Sequence, residues 1–308
     1  LCELCASVVN IGRRLSTGSA VCGVAFAAGR LGHGNGHGNG NGRGVGIGYA
    51  RGMGKAEWGV DPEFFGPRHA HREQRIAERL RGEAPSTGLH LECAAGVGSL
   101  SFTLAKQGKT VVACDRSLRS LAVLASKARS ADSTDRVLPL LADITRLPFV
   151  DETFHSASSA ETLEHIPDHQ TAMRELARVI EVGGALAGTV PAGPGQWSEW
   201  DDWAGHLRRY TRDEMRGLLR AAGLEPSVTT WGWPMVRLYD DLFLTRVNRR
   251  RLQHQGTVEQ DTTLSAVSSM GRKRILVDLV KAVFAIDKFF DGTPWGVGLL
   301  FSGRKPKL

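Results

Sequence analysis

From Leu89 onward, short apolar runs alternate with amphipathic ones, and this alternation confines the chain to a narrow set of folds. LHLEC (89–93) is followed by helical spacing over Ser99–Gln107, TVVAC (110–114) by helical spacing over Leu118–Arg129, and then comes VLPLLA (137–142). A run of five or six residues with little polar alternation is a strand covered on both faces, and the covering comes from a helix between successive strands. Repeated βαβ units follow, and with them a parallel sheet. The series continues with FHSASS (154–159), a helix over His169–Ile180, a turn at Gly183-Gly184 and ALAGTVP (185–191). A helix over Arg212–Ala222, ended by Gly223, precedes a sixth strand at Ser227–Trp231. A helical stretch over Arg272–Phe290 leads through Pro294 to VGLLFSGRK (297–305), the seventh. The expectation is an α/β, doubly wound, seven-stranded, mostly parallel sheet, with its last two strands paired at one edge.

The residues ahead of this series read differently. Gly29–Gly54 is a glycine-rich tract, GRLGHGNGHGNGNGRGVGIGYARGMG, with little to bury and a high entropy cost of ordering. Residues 1–56 are expected to form a flexible, low-complexity N-terminal tail, and 57–308 one folded domain. His33 and His37 in the tract read as solvated. A helix is expected within Asp61–Arg81, anchored by Phe64, Phe65, Ile76 and Leu80 and ended by Pro85–Gly88. Arg13, Arg14 and several serines lend Leu1–Arg30 a faint organelle-targeting flavour, set against a cytoplasmic reading of the whole.

Composition narrows the function classes. Of the five cysteines, Cys93 and Cys114 fall inside strand-like runs, which argues against a disulfide framework. Cys2 and Cys5 have the spacing of half a zinc site, but one pair does not fill a tetrahedral shell, and no metal is expected. No apolar stretch reaches the roughly twenty residues of a membrane-spanning helix. The net charge of +7 is spread along the chain and forms no nucleic-acid module.

Three segments carry chemistry. Leu91-Glu92-Cys93-Ala94-Ala95-Gly96-Val97-Gly98 ends a strand in a small-residue loop that lets a ligand approach the backbone. The third glycine of a dinucleotide fingerprint is missing, since Leu100 and Ser101 follow Gly98. Asp115 stands after the second strand, where an acidic side chain can accept from a ribose diol or cap the next helix. In LADITRLPFVDETFHSASSAETLEHI, Asp143 ends the third strand, Leu147-Pro148-Phe149 makes a rigid turn, and Glu161 and Glu164-His165 follow the fourth strand.

Taken in order with Arg178-Val179-Ile180 and Gly183-Gly184, these motifs resemble the type 11 branch of the class I S-adenosylmethionine-dependent methyltransferases, closely over Leu89–Pro191. Two positions depart from the family pattern: Ala94 stands for the first loop glycine, narrowing the methionine pocket, and His155 for an aspartate. The resemblance implies a Rossmann-like methyltransferase domain over 57–308 that binds S-adenosylmethionine. In it Glu92 meets the amino-acid end of the cofactor, with Ala94, Gly96, Gly98 and Glu161 beside it. Asp115 takes the ribose hydroxyls, Asp143 the adenine amine, and Arg116 and Ile144 the ring faces.

On the acceptor side, Glu161, His165 and His206 are the candidate general bases. Elaborations at 192–210 and 232–290 are expected to shape the acceptor pocket. Trp197, Trp200 and Trp203, three apart, would share a helical face as a wall or lid, and Arg208, Arg209 and Tyr210 offer donors to an anionic acceptor. Arg246, Arg249–Arg251 and Arg272–Arg274, with Ile275, Leu279, Val283, Phe284 and Phe290, read as a face for a membrane surface or lipid-like substrate, against a solvated face over a core helix. The function expected is methylation at O, N or C of a small or medium-sized acceptor: a metabolite, sugar or lipid precursor. The alternatives are an RNA methyltransferase, an NAD-dependent oxidoreductase and a silent cofactor-binding protein.

Overall fold

The computed structural model describes residues 66–246, 248–249 and 274–307. The tail over 1–56, Phe64, Phe65 and most of the basic stretch around 250–273 lie outside the described residues. The first helix, α1, spans Pro67–Glu83. Pro67 at its first turn has no amide hydrogen to leave unpaired and sets φ for the helix.

The sheet follows as β1 (Gly88–Cys93), β2 (Lys109–Asp115), β3 (Val137–Leu141), β4 (Phe154–Ala160), β5 (Ile180–Pro191), β6 (Glu225–Trp231) and β7 (Gly298–Arg304). Between them run α2 (Ser99–Lys106), α3 (Leu118–Ser130), α4 (His169–Val179), α5 (Glu199–Ala204), α6 (Arg212–Ala221), α7 (Met235–Tyr239) and α8 (Arg274–Phe284). The strand order is β3-β2-β1-β4-β5-β7-β6. Strands β1 to β5 pair in parallel, and β7 runs antiparallel to both β5 and β6. The order reverses between β1 and β4, which opens the ligand crevice of an α/β sheet at their carboxyl ends.

Alternating side chains divide the core between the two faces of the sheet. Leu91, Val112, Ala157, Leu186 and Phe301 face α4 and α6 through Met173, Leu176, Met215 and Leu219. Val111, Ala113, Ala187 and Leu300 face the other way, with Ile76 and Leu80 of α1, Leu100 and Leu104 of α2 and Leu124 of α3. Each such burial contributes roughly 1.5–3 kcal/mol. Backbone approach is tightest at Gly188 of β5, where an added Cβ would lie 2.0 Å from the Ser159 carbonyl oxygen.

Several expectations change. The glycine pair 183–184 is not a turn before β5 but an irregularity within it, because Phe154 pairs with Ile180 and Ser156 with Ala185. The last helical stretch is shorter than its apolar pattern: α8 passes into a 3₁₀ turn over Ala285–Phe290. Phe284 packs edge-on to His71 and Tyr239, whereas Ile275, Leu279 and Val283 face outward, Ile275 being 88% exposed. Cys93 and Cys114 pair in register across β1 and β2, buried and free. No described helix is long and apolar enough to cross a membrane. His155 uses Nδ1 to accept the Leu89 amide at 3.1 Å, which gives this departure from the family pattern a structural job.

Candidate functional site

The carboxyl ends of β1, β2 and β3 place Glu92, Asp115 and Asp143 along one edge. The loop after β1 is held by Ala95 N to Cys114 O (2.9 Å) and Gly98 N to Ala95 O (2.9 Å). Its turns require positive φ: +58° at Ala94, +54° at Gly96 and +84° at Gly98. Ala94 therefore carries the left-handed cost that a glycine would not, roughly 1–2 kcal/mol, and its methyl is exposed. Asp115 clamps two loops, with Gly96 N on Oδ2 and Ser117 N on Oδ1, both at 2.8 Å. Ser117, not Asp115, caps α3. Asp143 uses Oδ1 for Thr145 N (2.8 Å) and Thr145 Oγ1 (2.7 Å), and these bonds hold its carboxyl below the usual range.

Glu92 is different. It is 5% exposed and takes a hydrogen bond of 2.5 Å from Ser101 Oγ, while burial pushes its carboxyl up to about 8. Arg116 is exposed, and Ile144 belongs to the core beside Leu147 and Phe149. The Leu147-Pro148-Phe149 turn is fastened by Arg178, which donates to Phe149 O (2.7 Å) and Leu147 O (3.1 Å). Glu175 completes the clamp by accepting Leu147 N at 2.8 Å.

At the ends of β4 and β5 lie polar atoms without partners. Ten buried side-chain nitrogens and oxygens among the described residues have none, and six of them belong together: Arg72 Nε, Ser159 Oγ, Glu161 Oε1, both Glu164 oxygens and Thr189 Oγ1. Glu161 sits at φ +48°, its amide bonded to Thr189 O (2.8 Å), with Arg72 Nη1 3.6 Å from Oε2. Burial pushes the Glu161 carboxyl up, but Arg72 and Arg68 outweigh it and leave it below its ordinary value. For Glu164 burial, with the neighbouring Glu161 charge, outweighs Arg72 and drives its carboxyl well up.

The segment after β5 builds the opposite wall. Asp201, fully buried, receives five hydrogen bonds. Ser198 N, Ser198 Oγ and Arg209 Nη2 reach Oδ2 at 2.8, 2.9 and 2.8 Å, and His206 Nδ1 and Arg209 Nε reach Oδ1 at 2.7 and 2.8 Å. Burial alone would raise this carboxyl, but the bonds from His206 and Arg209 hold it well below the carboxylate range. His206 thus donates from Nδ1 and keeps the Nε2 lone pair. Its ring stands edge-on to His165, with centroids 4.7 Å apart. His165 sets Nδ1 3.3 Å from Gly205 O, and burial lowers its pKa.

The three donors expected to meet an anionic acceptor face inward. Arg208 donates to the Leu163, Ile166 and Pro167 carbonyls, Arg209 grips Asp201, and buried Tyr210 donates to Leu163 O (3.2 Å) and lies 2.7 Å from His169 Nδ1. Together they tie the 3₁₀ turn Leu163–His165 to the segment 192–210. The tryptophans separate too: Trp200 and Trp203 stack at 4.5 Å on α5, while Trp197 precedes the helix cap and bonds Asp202. Sequence reasoning missed Arg68 and Arg72 on α1, Glu164 as a site group and Asp201. Only Asp201 left a signal, the Ser198-to-Asp201 spacing of a capping box.

The family model described as a methyltransferase domain, type 11, matches residues 91–188, the stretch from β1 to β5 that carries these carboxylates. Methyltransferase GfsG of Streptomyces halstedii is 36% identical over 130 residues, covering 41% of this chain and 46% of that protein. Demethylmenaquinone methyltransferase of Thermobifida fusca is 38% identical over 104 residues, covering 34% and 44%. The chain thus spans less than half the length of either relative. Phosphoethanolamine N-methyltransferase 2 of Haemonchus contortus, solved with S-adenosyl-L-methionine, superposes with a TM-score of 0.56 at 18% identity, covering 80% of this chain and 55% of that one. Residues 91–188 thus match the type 11 methyltransferase domain, and the sheet order with its antiparallel β7 agrees with the class I methyltransferase fold.

Proposed function

We propose that the protein transfers a methyl group from S-adenosylmethionine to a hydroxyl of a small or medium-sized acceptor. The observation that carries this reading is the group of unpartnered polar atoms at the ends of β4 and β5, with Arg72 facing Glu161. Native folds leave few buried polar atoms unpaired, so a cluster of them marks a place where something else binds. The donor set suits the cofactor: Arg72 Nε offers a donor to a carboxylate and Glu161 Oε1 an acceptor to an ammonium. Asp115 retains lone pairs for a ribose diol, and Asp143 Oδ2 for the adenine amine.

Bound there, the cofactor supplies a methyl group already activated on sulfonium sulfur. What remains for the chain is alignment, which contributes roughly 7–11 kcal/mol in well-oriented reactions. Glu92, neutral at pH 7, ties the end of β1 to α2 through Ser101. The acceptor lies on the side of His165, His206 and the stacked Trp200 and Trp203, a polar wall that favours an acceptor with a hydroxyl.

Titration calorimetry of the full chain with S-adenosylmethionine, its demethylated product and NAD tests the reading. The first two are expected to bind; binding of NAD alone overturns it. Asp115→Ala is expected to weaken cofactor binding about tenfold or more, roughly 1.4 kcal/mol. His206→Ala is expected to leave that binding unchanged and lower turnover; unaltered cofactor binding by Asp115→Ala counts against the site.

A further inference from the structure

The geometry points to a divalent transition-metal site formed by Glu164, His165 and His206, beside the cofactor crevice. One ligand atom from each lies within 4.8 Å of the other two. Ligand atoms on one metal at about 2.0–2.2 Å sit roughly 3–3.5 Å apart, so an ångström or so of side-chain rotation closes the site. Two imidazoles and a carboxylate are the donors of zinc, iron(II), manganese(II) and cobalt(II) sites rather than of magnesium or calcium.

Two further observations concern ligands rather than mere proximity. Glu164 is fully buried, yet neither of its oxygens has a partner. Such a carboxylate is costly unless a proton, a water or a cation meets it. The second observation is the orientation of His206. Its Nδ1–H is fixed on Asp201 Oδ1 at 2.7 Å, and Asp201 is itself immobilised by Ser198 and Arg209. A carboxylate behind a ligating histidine is how metal sites fix the tautomer and direct the lone pair of the other nitrogen. His206 Nε2 is thereby the ligating atom, and Asp201 is a positioning residue.

The inference does not depend on methyl transfer, since metal binding is read without cofactor or acceptor. Cobalt(II) is titrated into the metal-stripped full chain, with bound metal counted after desalting and followed by visible absorption. His33, His37, Cys2 and Cys5 outside the described residues are common to every variant, so the quantity read is the difference between proteins. Wild type is expected to hold one equivalent more than Glu164→Gln, His165→Asn and His206→Asn, with a ligand-field band that each variant lacks. Asp201→Asn is expected to retain the band with affinity weakened about 10- to 100-fold. Glu164→Gln removes a buried carboxyl and is expected to fold; His165→Asn provides the same comparison where it does not. Equal stoichiometry across the set overturns the site, and so does loss in the histidine variants with Glu164→Gln unchanged.

Discussion

The two walls of the crevice satisfy their carboxylates in opposite ways. On the β1–β3 side, Asp143 takes a backbone amide from its own loop and Asp115 takes one from its own loop and one from the loop after β1, all at 2.8 Å, and both remain open to solvent on one side. On the β4–β5 side and in the segment after β5, one carboxylate, Asp201, collects five donors while another, Glu164, buried nearby, has none. The first wall is a cradle of short loops bonded through backbone amides. The second combines a local side-chain network around Asp201 with contacts from distant residues, Arg72 to Glu161 and Arg208 to the 163–167 turn, and it leaves polar capacity unspent. On the proposed reading the cofactor draws on both, with Asp115 and Asp143 from the first and Arg72 and Glu161 from the second, while the acceptor meets the second alone.

Removing Asp201 should break this contrast most severely. Asp201→Ala strands the Arg209 guanidinium and the His206 ring inside the wall and deletes the capping interaction with Ser198. Loss of one partner from a buried pair typically costs 3–5 kcal/mol. Chemical denaturation is expected to show a loss on the order of 4 kcal/mol. A loss below about 1 kcal/mol, the range of surface pairs, would mean that the network does not hold the second wall together.

The one carboxyl of the first wall that resembles the second is Glu92. Its pKa in the folded chain, about 8, lies above the ordinary 4.5 of an unfolded one. Below pH 4.5 both states are protonated and the group contributes equally to each. As pH rises through 4.5 the unfolded chain releases its proton while the folded one keeps it. Stability therefore falls from pH 4.5 until the folded group also ionises near 8, and is flat above. Glu92→Gln should remove this slope, gaining on the order of 4 kcal/mol at pH 8.5 relative to pH 4.5 when compared with wild type. Parallel pH profiles for the two proteins would show that Glu92 ionises freely in the fold.

How much of each wall was readable in the sequence follows the same division. The strand and helix series was legible because apolar period and Gly–Pro punctuation are local, and the places of Glu92, Asp115 and Asp143 at strand ends were legible with it. Even so, Ile180 to Gly184 could not be seen as part of β5, since that pairing depends on β4. The donors Arg208, Arg209 and Tyr210 read as acceptor contacts from their chemistry alone. For Arg208 and Tyr210 the targets are carbonyls within 163–167, set by a fold that brings residues 41 to 47 positions apart into contact; for Arg209 the target is Asp201, eight residues back. Arg72 was invisible for the same reason: nothing on a polar helix face announces that Glu161, 89 residues later, will face it.

The smallest expected effect concerns Trp197, the tryptophan that did not join its neighbours on α5. Its ring is 41% exposed and linked to Asp202 at 3.2 Å, while Trp200 and Trp203 stack on each other. Exposed substitutions outside caps and networks usually fall within about 0.5 kcal/mol. Trp197→Ala is therefore expected to leave the unfolding midpoint and cofactor affinity within error of wild type, whereas Trp203→Ala, which opens a stacked pair worth roughly 0.5–1.5 kcal/mol beyond its area, is not. An exposed ring outside the stacked pair carries little of the fold, so any effect of Trp197→Ala should fall on the KM of the acceptor with kcat unchanged. A fall in stability equal to that of Trp203→Ala would place Trp197 in the wall itself and remove it from the acceptor's path.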